Sequence, residues 1–358
     1  MDFIKDFFNF FADPRVFFTL TLSLLILLVW KREAFASTRI GWGLQIFLAV
    51  FFGFGLFDEN FRLIIGKPDN VPIVALIFLL IFFTWYSMRE AVLNDKRIAE
   101  GKPPIEKEEE GRVWVWPDLV YTELICLVLC SVVLILWSIL LKAPLEQPAN
   151  SAATPNPSKA PWYFLGLQEM LVYFDPWLAG VVLPSLIIVG LMAIPYIDTN
   201  PKGNGYYTFI ERKAEITIFL FGFVVLWASL IVLGTFLRGP NWNFFGPFEY
   251  WDIHKLEALT NVNLSEYVWV RALGTGMPDN WLLRESFGIA LLGGYLVLLP
   301  VFLARTWFKH YLEKMGPARF YIGVFLFLSM LSLPVKMLMR WLFNLKYVVA
   351  IPEYFFNI

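Results

Sequence analysis

Long apolar runs, each followed by charged residues or proline, dominate the pattern along this chain. A helix needs about 20 predominantly apolar residues to cross a bilayer core of about 30 Å. The pattern therefore predicts eight transmembrane spans, at residues 16–30, 40–57, 71–88, 119–141, 178–197, 216–237, 286–304 and 320–335. The first run is short, and the residues 1–14 before it predict an amphipathic lead without the basic start and cleavage site of a secretory signal.

Residues 155–177 break this pattern, because they are too polar and too rich in proline for a span and too long for a tight connection. Within them, an aromatic run from Trp162 to Phe164 opens a segment of helical character that carries Gln168 and Glu169 on an otherwise apolar surface. We expect the chemistry or the ligand of the protein to be here. Asp175-Pro176 predicts a turn before the next span.

Changes in composition divide the chain into five parts. Residues 1–90 form an N-terminal three-helix membrane segment, and residues 91–113, with dense charge and a Pro-Pro pair, form a solvated linker. Residues 114–240 begin a second set of spans. Residues 241–283 are an aromatic connector, whose Trp, Tyr and Phe suit the boundary between lipid and water, and residues 284–358 carry the last two spans.

Composition agrees with an all-α integral membrane protein. The 358 residues are 58% hydrophobic, 18% aromatic and only 16% charged, and the mean hydropathy is +0.61. A soluble domain this apolar could not cover its surface. With a net charge of −1 and no basic cluster, nothing indicates a nucleic-acid partner.

The distribution of Lys and Arg favours one orientation. The loops after the first, third, fifth and seventh spans hold more of the 29 basic residues than the loops on the other side, where several lie in the long connector. Short basic loops stay in the cytoplasm. We therefore expect a multi-pass protein of the cytoplasmic (inner) membrane, with a cytoplasmic linker at 91–113 and with residues 155–177 and 241–283 on the periplasmic side.

The sequence offers few ligands for a redox group. Its two histidines, His254 and His310, lie outside the predicted spans, whereas a membrane-embedded b-type haem needs paired histidines on facing helices. Cys126 and Cys130 stand one helical turn apart in an apolar run and are interpreted as small packing residues. No metal-ligating cluster and no phosphate-binding glycine loop is present, so a redox cofactor is expected on another subunit.

Residues 114–240 resemble the C-terminal half of cytochrome b, or subunit IV of the cytochrome bf complex, which is the half without haem ligands. The likeness rests on Trp116-Pro117-Asp118-Leu119 at the start of a span and on the ungapped stretch from Ala160 to Val181. It rests also on Arg238-Gly239-Pro240-Asn241-Trp242, which is similar to bacterial relatives. It implies a core of three helices with an amphipathic pocket-lining helix, and leaves five predicted spans outside it.

The resemblance implies a quinol-oxidation pocket on the positive side of the membrane, beside a Rieske iron–sulfur protein. The expected quinol-binding residues are Pro161, Trp162, Tyr163, Phe164, Gln168 and Tyr173. This sequence departs from the family, because Pro161 stands where the family has the motif glutamate and Ala160 where it has proline. In one reading Glu169 replaces that carboxylate, since it returns to within about 20° of the helical face of Trp162. In the other, Gln168 and Glu169 only anchor a surface helix.

The function expected from the resemblance is that of a membrane subunit of a bc-type quinol–cytochrome c oxidoreductase, which is not an enzyme alone. Quinol binds at a subunit interface, and haem b, haem c and a 2Fe-2S cluster are expected on partners. These partners are a haem-bearing cytochrome b N-terminal-type subunit, a Rieske protein and a cytochrome c, in a dimeric complex. The alternatives are a quinone-binding anchor of another respiratory oxidoreductase, or a transporter.

Overall fold

The computed structural model describes residues 2–108, 111, 113–143, 145, 148–200 and 206–358. The protein is an all-α membrane protein with one small two-stranded antiparallel sheet among the described residues. Its principal elements are α1 (Asp2–Phe11), α2 (Pro14–Trp30), α3 (Thr38–Gly55), α4 (Glu59–Ile65), α5 (Val71–Ala99), α6 (Val115–Leu140), α7 (Trp162–Met170), α8 (Leu178–Ile197), α9 (Lys213–Leu237), α10 (Ser286–Arg305), α11 (Lys309–Met315), α12 (Pro317–Phe343), β1 (Ala350–Ile351) and β2 (Phe356–Asn357).

Short helical turns connect these elements at Arg32–Phe35, Ile105–Glu108, Pro240–Trp242, Leu264–Glu266, Tyr267–Ala272, Trp281–Arg284 and Pro352–Tyr354. Seven of the principal helices are long and apolar enough to cross a membrane: α3, α5, α6, α8, α9, α10 and α12. They correspond to seven of the eight predicted spans. The eighth, α2, has 17 residues and meets the same criterion only together with α1, from which it is bent by 75°.

The first compact unit comprises Met1–Ser158, Asn204–Val225 and Thr235–Lys255. In it α3 approaches α5 closely, because a Cβ atom on Gly41 would come within 2.2 Å of the Trp85 ring. Small residues at helix crossings let membrane helices pack by van der Waals contact. The Trp85 indole N–H also donates to the carbonyl of Ser37, the residue before α3, at 3.2 Å. This bond fixes the position of α3 along the length of α5.

The predicted linker is partly helical. The charged residues after Met88 end the apolar run but not the helix, since α5 continues to Ala99 and stops before Gly101, whose φ is +75°. Ala91 and Val92 are buried, at 0% and 3% exposed, and this inward face sustains the extra turns. The first nine residues of the predicted linker are therefore helical. Residues 109, 110 and 112 of the predicted linker lie outside the described residues.

Contacts within the first unit follow the predicted alternation of loops. Asn94 is fully buried, donates to the Tyr207 carbonyl at 3.2 Å and accepts from the Ile105 N–H at 3.0 Å. These three residues lie in segments that are predicted to face the cytoplasm. Segments predicted to face the periplasmic side also contact one another, because the Phe248 N–H donates to the Asn9 side chain at 3.1 Å and Lys5 pairs with Asp58.

The second compact unit comprises Lys159–Gly203, Leu226–Gly234 and Leu256–Ile358. Its C-terminal segment after α12 folds back over the start of α10. A Cβ atom on Gly288 would come within 2.1 Å of the Val348 carbonyl oxygen, so only glycine permits this approach. The segment is closed by the β1–β2 pair and by Glu285, whose carboxylate accepts from the Ala350 N–H at 3.0 Å.

Labelling of single cysteines tests which side of the membrane each loop faces. In a Cys126→Ser/Cys130→Ser background, we expect Ser158→Cys to react with an impermeant maleimide from the periplasmic side only, because Ser158 is exposed on a loop assigned there. The matched control, Lys309→Cys at the start of α11, is exposed and should react only from the cytoplasmic side. Labelling of Ser158→Cys from the cytoplasm alone would overturn the orientation.

Candidate functional site

The helix α7 forms where the sequence predicts it. Pro161 precedes its first residue, and the Pro161 carbonyl accepts from the Phe164 N–H at 2.8 Å. Proline with its fixed φ is suited to the start of a helix, where its missing N–H is not needed. The Gln168 side-chain oxygen reaches back to accept from the Ala160 N–H at 2.8 Å, which ties the incoming chain to the helix two turns later.

The inner face of α7 packs against residues 226–234 of α9. Leu165 and Met170 are buried, at 3% and 4% exposed. Two glycines lie at this contact. A Cβ on Gly166 would lie 3.5 Å from the Trp227 ring, and a Cβ on Gly234 would lie 3.4 Å from the Leu165 carbonyl oxygen, both ordinary van der Waals distances. Such van der Waals packing holds helices together in lipid. The packing fixes the rotation of α7 and so decides which side chains remain outside.

The outer face of α7 presents the aromatic residues of the predicted site. Tyr163 and Phe164 are 51% and 50% exposed, with their ring centroids 4.7 Å apart. Pro161 is exposed beside them, and Trp162 is half-buried with its ring edge-on to Tyr163 at 5.8 Å. The structure therefore brings four predicted residues together in one aromatic surface.

Glu169 and Tyr173 lie on the buried side. Their exposed fractions are 0% and 1%, and the Tyr173 ring meets Trp341 at 6.2 Å in an edge-on arrangement. Gln168 is half-buried between the two groups. The predicted site residues are thus divided into an exposed aromatic surface and a buried polar pair, and no single exposed face carries both Glu169 and the aromatic rings.

The turn after α7 is held by the C-terminal segment, which sequence reasoning missed. The Asp175 carboxylate accepts from the Tyr347 hydroxyl at 3.3 Å and from the Asn357 amide at 3.1 Å. The predicted turn at Asp175-Pro176 is confirmed, with the Leu178 N–H donating to the Asp175 carbonyl at 3.0 Å. Burial raises the pKa of Tyr347, and the charge and hydrogen bond of Asp175 raise it further.

A buried lysine lies beneath the same turn. Lys336 is 4% exposed, and its side-chain nitrogen donates to the Lys346 carbonyl at 2.7 Å and lies 5.7 Å from the centroid of the Phe174 ring. The last predicted span ends at Val335, one residue before Lys336. The sequence does contain a signal for this contact, namely Lys336 itself, because an ionisable residue in a membrane helix is costly and marks a structural or functional contact.

The connector after α9 is a folded segment rather than an extended one. Asn241 has a positive φ of 56° and forms a reciprocal pair with Asn156, in which the Asn241 N–H donates to the Asn156 side chain at 2.7 Å and the Asn156 amide donates back at 2.9 Å. The Asn241 amide also donates to the Lys255 carbonyl at 3.1 Å. The loop that leads towards α7 is anchored on this segment.

The remaining candidate ligands, two histidines and two cysteines, are exposed. His254 and His310 are both exposed and outside the spanning helices, so neither is positioned for a haem between helices. Cys126 and Cys130 are free thiols exposed on α6, with sulfur atoms 4.0 Å apart. The described part of the chain buries none of the apolar window of α6, so the two thiols face outward from it.

This fold defines a multi-pass helical membrane protein in which a short helix with an exposed aromatic face precedes a span. Within it, residues 148–246 match the family model described as Cytochrome b(C-terminal)/b6/petD. The chain therefore contains a cytochrome b C-terminal-type domain. The match includes α7, α8, α9 and the Asn241 turn, and begins after α6. No solved structure matches the chain.

Proposed function

We propose that the protein is the haem-free membrane subunit of a bc-type quinol–cytochrome c oxidoreductase, with α7 forming part of the quinol-oxidation site. The observation that carries the proposal is the position of α7 inside the matched residues 148–246. There it presents an exposed aromatic surface on one face and buries the Glu169 carboxylate on another. Domains of this family belong to bc- and b6f-type complexes.

The exposed surface suits one wall of a quinol pocket. Ligand pockets are concave and bury most of a ligand behind apolar and aromatic side chains. Tyr163 and Phe164 are each about half exposed in this chain, so they can cover only one side of a ring. The opposite wall comes from a partner, and quinol binds at the subunit interface.

The proton chemistry assigns a role to Glu169. Oxidation of a quinol to a quinone releases two protons and two electrons, and a carboxylate near a quinol hydroxyl can accept one proton. Pro161 has no such group, and Glu169 is the next carboxylate along the chain. The role requires that quinol binding bring the Glu169 carboxylate within about 3 Å of that hydroxyl, a contact that can tighten only when substrate is bound.

The two electrons leave through groups on other subunits. In the proposed complex a Rieske protein with a 2Fe-2S cluster accepts one electron, and a haem-bearing cytochrome b N-terminal-type subunit accepts the other. A cytochrome c with haem c follows the Rieske protein. The complex is dimeric and lies in the inner membrane, with α7 on the periplasmic side, so the released protons contribute to a proton motive force.

Purification of the complex tests this function. When the tagged chain is extracted in mild detergent, we expect haem-bearing subunits to copurify, and a dithionite-minus-oxidised spectrum to show both b- and c-type bands. A strain with the untagged chain is the control. Copurification with a molybdopterin or iron–sulfur oxidoreductase would favour a quinone-binding anchor instead. If the chain purifies without partner subunits and transports a solute across the membrane of reconstituted vesicles, a transporter would be favoured.

A further inference from the structure

The N-terminal helix α1 is sharply bent away from α2. The two helices meet at an angle of 75°, with a break at Ala12 and Asp13. The Asp13 carboxylate accepts from the Arg15 N–H at 2.9 Å, so it caps the start of α2. If α2 runs across the bilayer, a helix bent this far runs nearly along its surface.

One face of α1 is fixed to the first unit. The Asn9 side chain accepts from the Phe248 N–H at 3.1 Å, and the Lys5 ammonium pairs with Asp58. The Phe8 ring packs against Phe51 at 4.8 Å. Gly246 lies so close that a Cβ there would come within 2.3 Å of Asn9. These contacts set the rotation of α1.

A second face is apolar and exposed. Phe3, Phe7 and Phe10 are 82%, 51% and 62% exposed. At about 100° per residue they fall within about 60° of one another around the helix. This stripe lies opposite Lys5 and Asn9, so nothing in the first unit covers it. Three adjacent exposed phenylalanines are costly in water.

A third edge is acidic. Asp6 stands between the protein-facing and apolar faces and lines an open cleft with Asp13 and Glu249. Burial of Asp58 opposes its ionisation, but the hydrogen bond from Lys5, the backbone hydrogen bonds from Phe61 and Asn60 and the charge of Lys5 together lower the pKa of Asp58. The one cation among the described residues of α1 is thus paired with Asp58. Three carboxylates remain at the open cleft, together with Arg15 of α2, which pairs with Asp13 at 3.4 Å. Charged groups of this kind require water.

We propose that α1 is an interfacial helix that lies in the surface of the bilayer, with Phe3, Phe7 and Phe10 among the lipid acyl chains and Asp6 in water. The occupant of the apolar face is lipid, because α2 begins at Pro14 and carries the chain into the bilayer directly beside it. Helices that divide water from hydrocarbon in this way bury their apolar face about 5–10 Å into the boundary. The acidic edge favours zwitterionic rather than anionic lipid.

Spin-label accessibility tests this placement. Single cysteines at Phe3, Phe7 and Phe10 are introduced into the Cys126→Ser/Cys130→Ser background, labelled with a nitroxide, and the purified complex is reconstituted into phosphatidylcholine nanodiscs. At these three positions we expect collisions with oxygen to exceed collisions with a water-soluble nickel chelate, at a depth of about 5–10 Å. At the matched control, Asp6→Cys, we expect the reverse.

Each other outcome overturns the proposal. Nickel access at all four positions would place α1 in water. Low access of both reagents at Phe7 and Phe10 would place a protein partner over the stripe. High oxygen access at Asp6 as well would make α1 the first half of a broken span. The label at Phe3, the most exposed position, gives the same readout if Phe7→Cys disturbs the fold, and no arm depends on quinol oxidation.

Discussion

Glu169→Gln is expected to slow quinol oxidation by the proposed complex by about 100-fold or more, since a positioned general base contributes about 10² to 10⁴ in rate. Glutamine keeps the volume of the side chain and its capacity for hydrogen bonds, and so suits a position that is 0% exposed. It cannot take a proton from a quinol hydroxyl. The measurement is steady-state reduction of cytochrome c by a reduced quinone analogue, with the b-haem spectrum recorded on the same sample.

The matched control for this variant is Glu123→Gln on α6. Glu123 is exposed and lies outside the matched family segment, so its substitution should leave turnover near that of the unmodified complex. An altered b-haem spectrum in Glu169→Gln would mean that the residue supports assembly. Normal turnover with an intact spectrum would remove Glu169 from any proton role and favour the reading in which it only anchors α7.

Glu285→Leu is expected to release the C-terminal segment. Glu285 is 1% exposed, accepts from the Ala350 N–H at 3.0 Å and pairs with Arg284 at 3.3 Å. The guanidinium keeps its second partner, Glu353, but the buried Ala350 N–H loses its acceptor, which costs about 1–3 kcal/mol of stability. We expect a lower midpoint of thermal unfolding in detergent and faster proteolysis after Phe343, where α12 ends.

Glu353→Gln is the control for the loss of charge alone. Glu353 pairs with the same guanidinium at 2.8 Å but its side chain is 45% exposed, and exposed pairs add little to stability. It should therefore shift the unfolding midpoint far less than Glu285→Leu. Equal shifts in the two variants would show that the charge of Arg284 matters and that the buried bond to the Ala350 N–H does not.

Much of the architecture could be predicted because the bilayer imposes it locally. A span must be apolar over a fixed length, and seven predicted spans overlap the observed helices, although two of them end one or two residues beyond the helix. The errors come where the apolar run and the helix differ in length. Arg89 ends the run in α5 while the helix continues to Ala99, and Val335 ends the last predicted span while α12 continues to Phe343.

The candidate site was predictable only in its position along the chain. Helical periodicity placed Glu169 near the face of Trp162, but the rotation of α7 is decided by its packing on α9 through Gly166 and Gly234. That packing buries Glu169 and leaves Tyr163 and Phe164 outside. Periodicity shows which side chains share a face and contains no information about which face is covered.

The sequence by itself determined that this is a helical membrane protein, where its spans lie, and which segment resembles cytochrome b. These properties follow from the length and polarity of continuous stretches, which need no partner to be recognised. Only the tertiary structure decided that Asp175 is held by Tyr347 and Asn357, which are 172 and 182 residues distant, and that Lys336 lies under Phe174. Such contacts depend on where the chain returns in space, because each bond needs two groups that no local pattern brings together.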